Sequence, residues 1–119
     1  MSLRYALVIY GNADVRDSTP EGEQQRITAR VNEVLSRPNV SGWLRLEDFE
    51  TATTLRSDRG RTLLTDGPFV ESKDFLGGFI VVEAENLDGA LAVAAELQEL
   101  RSGGAIEIRP VREGSLTDA

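Results

Sequence analysis

The side chains best equipped for chemistry are gathered in one stretch, Thr65-Asp66-Gly67-Pro68-Phe69-Val70-Glu71-Ser72-Lys73-Asp74, which holds several carboxylates and the only lysine. A carboxylate in such a place can serve as a general base or orient a substrate. A lysine can steady developing negative charge or, when desolvated, accept a proton. Asp66 is the sharpest candidate. A turn Asp usually satisfies its carboxylate with the backbone N–H two residues on, but that residue is Pro68, which has none. Asp66 therefore takes its donor from Phe69 N–H, an Arg, Lys73, solvent or a ligand. Pro68 also restrains Gly67, and in a β-turn over 66–69 it requires an unusual Gly67 conformation or a cis bond. The structural alternative is that Asp66 only braces this turn, since Asp-Gly-Pro stretches form turns whatever the function.

Around this stretch, absences exclude whole classes of mechanism. The chain has no His and no Cys, so it supplies no disulfide, thiol nucleophile, thiolate-zinc site, imidazole base or Ser-His-Asp triad. Acid-base work falls to Asp, Glu, Lys73, Tyr5 or Tyr10. Glu71 and Asp74 lack the Gly-punctuated spacing of a calcium loop, and neither a metal site nor a cofactor is expected. Glu71 and Lys73 remain ligand-binding candidates with Gly67, Pro68 and Phe69. Tyr10 joins them through its hydroxyl, although an aromatic on a central strand is more often core. The Arg56, Arg59 and Arg61 cluster reads as a solvated hairpin tip.

Several elements must position these groups. Leu3 to Tyr10 reads as a strand apolar on both faces, ending at Gly11-Asn12. A polar link over 11–18 leads to Thr19 as helix cap and Pro20 as first helical residue. Ile27, Val31, Val34 and Leu35 then form the apolar stripe of a helix closed by Pro38. A strand is expected from Gly42 or Trp43 to Phe49. Residues 52–56 and 61–65 bracket Ser57-Asp58-Arg59-Gly60 as a hairpin. Phe79 to Glu83 forms another two-faced strand, with Gly77-Gly78 leaving room for a bulge. Asn86 caps a helix to about Leu100, and Ala105 to Val111 forms the last strand, with Pro110 at its end. The class is α+β, compatible with a ferredoxin-like sheet carrying an extra hairpin. Residues 1–112 form one domain, and 113–119 are a loose tail.

At 119 residues, size scaling predicts that folding hides about two thirds of the unfolded surface. The net charge of −7 argues against nucleic acid and anionic membranes, which need dense Lys and Arg. No membrane-spanning or secretory segment is evident, so a cytoplasmic location is expected. Two helices cover one sheet face, while the strands at 3–10 and 79–83 are apolar on both. A homodimer packing sheet against sheet is the economical solution.

The run Thr65-Asp66-Gly67-Pro68-Phe69, with Glu71-Ser72-Lys73 and Leu76-Gly77-Gly78-Phe79, resembles the signature of the YCII-related, or DGPF-domain, proteins of bacteria. The likeness extends through Tyr5 to Gly11, 52–56 and 106–111. It implies a ferredoxin-like subunit assembled as a dimeric α/β barrel, a small-molecule site near the motif, and linkage to extracytoplasmic-function sigma factors. That family commonly places a His before the Gly preceding the last strand, where this chain has Arg101-Ser102-Gly103-Gly104, so a His-Asp pair does not carry over. The favoured expectation is a protein binding a small organic ligand near the motif. The alternatives are an enzyme using Asp66 as base in proton transfer or elimination, and a regulatory interaction module tied to sigma factors.

Overall fold

The computed structural model describes residues 2–116. The long strand β1 (Leu3–Asn12) lies between β5 (Asp74–Ala84) and β6 (Ala105–Pro110), and β2 (Val40–Arg45) pairs with the far side of β5. All three pairings are antiparallel, giving the order β2-β5-β1-β6. With α2 (Glu21–Leu35) and α3 (Leu87–Glu99) between the strands, this is an α+β arrangement compatible with a ferredoxin-like subunit. Among the described residues, no helix is long and apolar enough to cross a membrane.

Alternation along β1 sends Tyr5 and Leu7 to the helix-covered face. There they meet Ile80 and Val82 of β5, Val34 and Leu35 of α2, and Ala90, Val93, Ala94 and Leu97 of α3. The alanines on α3 let that helix approach closely. Asn86 caps it as the sequence implies, its Oδ1 accepting from Gly89 N at 3.1 Å. The opposite face carries the half-buried residues Ala6, Val8, Phe79 and Val81. Beyond β6, Val111 N donates to Arg4 O, and Leu116 lies against Gly42 on the far strand, so the tail segment crosses the sheet. Residues 117–119 lie outside the described residues.

Three local expectations are revised. The link after β1 contains a short helix, α1 (Ala13–Ser18), because the Asn12 side chain accepts from both Asp14 N and Val15 N. Thr19 does not cap α2; its hydroxyl donates to Val15 O at 2.5 Å, and Pro20 occupies the cap position. The strand expected to reach Phe49 ends at Arg45. Leu46 N turns to Gly77 O, and Phe49 enters a 3-10 turn where its ring stacks on Phe75 at 5.1 Å. Ring burial there wins over strand continuation through the charged Glu47 and Asp48.

The hairpin forms as expected, from β3 (Thr53–Asp58) and β4 (Arg61–Asp66), with Arg59-Gly60 at φ 51° and 78° as a two-residue loop of the I′ kind. It is a separate two-stranded sheet, an arm beside the body. Its cross-strand partners Leu55 and Leu64 are both largely exposed. The accessible surface is 8733 Å², roughly 2,400 Å² above the value for a compact monomer of this mass. The radius of gyration, 16.1 Å, likewise exceeds the about 13.5 Å of a compact chain.

Candidate functional site

The bulge in β5 opens the site. Ile9 pairs with Gly78 and Tyr10 with Leu76, leaving Gly77 as the extra residue, as the double glycine implies. A bulge of this kind bends its strand, and residues of β1, β2 and β5 here face residues of α2 and of the end of α3. Between them lies a cavity of about 360 Å³. Ile9, Ile27, Val31, Leu97 and Ile106 supply much of its wall, and Trp43 forms part of the β2 side. Among the described residues, Arg16, Arg45 and Arg101 are its only ionisable lining residues.

Arg101 is the best fixed of the three. It follows α3, and its Nη2 donates to Tyr10 O at 2.5 Å while Nη1 donates to Gln98 Oε1 at 3.1 Å. Gln98 in turn donates through Nε2 to Gly103 O and Gly104 O, both at 3.3 Å. One side chain thus ties the arginine to the loop preceding β6. Gly104, at φ 76°, stands where a Cβ would collide with Tyr10 O and the guanidinium. Burial pulls the Arg101 pKa below its usual value, yet it stays charged, as arginines in proteins do.

Arg16 lies under the arm's connection to the body. Its guanidinium sits 4.8 Å from the centroid of Phe49 and 5.6 Å from that of Phe75. It donates to Glu50 and Asp17, and hydrogen bonding to Glu50 first, then Asp17, raises its pKa. The same bond lowers that of Glu50. Arg45 lies over Trp43, 4.9 Å from the ring centroid, and donates to Asn32 Oδ1 at 2.6 Å.

The residues singled out in the sequence sit elsewhere. Asp66 is exposed at the end of β4 and makes no side-chain hydrogen bond or ion pair among the described residues. The turn is clasped by its neighbours: Gly67 N donates to Ala52 O and Thr54 Oγ1 donates to Gly67 O, each at 2.7 Å. Gly67 takes the unusual conformation, φ 102°, with Pro68 following in trans. Phe69 is 71% exposed. Glu71 is exposed, and Lys73 pairs at the surface with Asp14 at 2.9 Å, which raises the lysine pKa. Tyr10 is half-buried and takes part through its carbonyl. None of these seven lines the cavity. The body and the motif meet through the Lys73–Asp14 ion pair and through backbone, where Ala13 N donates to Lys73 O at 2.7 Å.

Arg101, Gln98 and Arg45 escaped the sequence reading because Arg and Gln carry no distinctive spacing. One signal existed. Arg101 lacks an acidic residue three or four positions before it, so no carboxylate at helical spacing neutralises it and any counter-charge has to come from elsewhere.

The family model for the YCII-related domain matches residues 3–115. An uncharacterized protein of Rhizobium meliloti (strain 1021) is 33% identical over 112 residues, covering 90% of this chain and 90% of that protein.

Proposed function

Taking the chain's membership of the YCII-related family as the premise, we propose that it binds a small organic molecule in the cavity between sheet and helices, beside the arm that carries Asp66-Gly67-Pro68-Phe69. The carrying observation is the cavity itself, about 360 Å³ and walled mainly by apolar side chains with a few fixed polar groups. That size and lining are those of small-ligand sites. Trp43 is the only tryptophan and lines this cavity, so its fluorescence reports occupancy directly. In a thermal-shift screen of small organic molecules, stabilising compounds are expected to change Trp43 emission saturably. Stabilisers that leave Trp43 emission untouched, or a broad screen without any stabiliser, would overturn the reading. Asp66→Asn is the companion variant: turnover lost with binding kept would make Asp66 a base.

A homodimer is the assembly we favour. A two-stranded hairpin is marginal in water by itself, yet this arm displays Leu55, Leu64, Phe69 and Val70. The surplus surface is comparable to what a stable interface buries. Light scattering at micromolar concentration should give twice 13.0 kDa; a monomer mass sinks this assembly without touching the cavity.

A further inference from the structure

The cavity's charge is opposite to that of the protein around it. The chain has a net charge of −7, but among the described residues no Asp or Glu lines the cavity, while three arginines do. Arg16 is balanced by Glu50 and Asp17. Arg45 and Arg101 have no carboxylate within ion-pair distance among the described residues. On the outer surface Arg37 and Lys73 are paired with Glu96 and Asp14; what sets the cavity apart is that unpaired arginines there stand against apolar side chains.

Arg101 carries the stronger case. A partly buried guanidinium gives up hydration, and without a counter-charge neutral acceptors repay only part of that cost. Of its five N–H donors, those engaged on Tyr10 O and Gln98 Oε1 leave others unused. The planar fork matches a carboxylate in two parallel charge-assisted bonds. Gln98 and the Cβ-free Gly104 hold it in place before any ligand arrives, which lowers the entropy lost on binding.

We propose that the ligand is a small organic carboxylate with an apolar body, its carboxylate held by Arg101 and its body packed against Ile9, Val31 and Ile106. This rests on the cavity being the ligand site. Dicarboxylates and sugar acids fit less well, because most of the lining is apolar and would strip extra polar groups of water with few partners to replace it. Arg45, at the β2 edge and exposed, draws the anion toward the opening by long-range attraction.

The test uses the full chain and a panel of aryl and alkyl acids, phenylacetate among them, each beside its neutral amide, followed by calorimetry at low salt. The expected result is that acids bind about tenfold or more tightly than their amides, the margin of a charge-assisted hydrogen bond. Arg101→Gln should abolish that preference while amide binding persists, and Arg101→Lys should restore part of it. A brace without a ligand role would lower the melting temperature of Arg101→Gln and leave the preference intact, which overturns the assignment to Arg101. Equal binding of acids and amides by the unmodified chain overturns the carboxylate class but leaves the cavity reading standing. Failure of every pair to bind overturns both. The acid-amide comparison needs no variant, so a poorly folding Arg101→Gln does not blunt it.

Discussion

Leu7 and Leu64 are both strand leucines flanked by residues of strand-forming type, yet Leu7 is fully enclosed and Leu64 is 73% exposed. Leu7 belongs to the body, where β1 is paired on both edges and covered by two helices. Leu64 belongs to an arm whose two strands pair only with each other. The same side chain therefore stabilises folding in one place and presents surface in the other. The chemistry divides along the same line. The Asp66-to-Asp74 stretch lies at the base of the arm, in solvent, whereas the partly buried Arg101, with unused donors, lies in the body beside the apolar lining of the cavity.

The largest effects should separate body from arm by stability alone. Leu7→Ala leaves a void among packed neighbours and is expected to cost about 2–5 kcal/mol, read by urea denaturation. Leu64→Ala should stay within about 0.5 kcal/mol in the isolated chain. Equal costs would mean that the arm is packed against something in solution, and a concentration dependence of the Leu64→Ala cost would identify that something as a second copy.

A finer contrast uses two glycines with similar backbone and different surroundings. Gly104 at φ 76° would drive a Cβ into Tyr10 O, while Gly67 at φ 102° has nothing within 4 Å of that position. Gly67→Ala pays backbone strain only, about 1–2 kcal/mol. Gly104→Ala pays strain and collision, about 3 kcal/mol, and also displaces Arg101. If the two cost the same, the corner that holds Arg101 is looser than its contacts indicate.

The smallest expected effect concerns the body's outer face, where Arg37 makes a two-pronged contact with Glu96 between α2 and α3. Hydrogen bonding to Arg37 lowers the Glu96 pKa. A carboxyl lowered on folding contributes stability above its unfolded pKa and loses it as pH falls through the folded value. Arg37→Gln should thus be slightly less stable than the parent at neutral pH, and the two should converge as the medium is acidified below the ordinary carboxylate range. Salt should narrow the neutral-pH gap, because both groups are exposed.

Much of this architecture could be read from local pattern. The alternation of Leu3 to Tyr10, the helical spacing of Leu87 to Leu97, the Asn86 cap and the Arg59-Gly60 turn each depend on neighbours in the chain, and each appears where pattern puts it. Gly67 and Pro68 were legible for the same reason, since steric restriction at a turn is local. Helix α1 was missed because a six-residue helix is held by one side chain, Asn12, whose type signals turns as readily as caps. The strand after Gly42 stops short of Phe49 because the attraction of Phe49 to Phe75 acts across 25 intervening positions, which no local window sees.

Sequence alone determined the class of the fold, the family, the hairpin and the impossibility of imidazole or thiol chemistry, because those follow from composition and short-range stereochemistry. Only the tertiary structure decided which polar groups are drawn partly out of solvent. It set Asp66 in solvent, brought Arg101 and Gln98 to the carbonyl of the distant Tyr10, and kept the carboxylates of the described residues out of the cavity wall. Whether a charged group meets water, an opposite charge or an empty apolar wall depends on the packing of whole elements, and that physical circumstance makes an arginine of ordinary type the focus of this site.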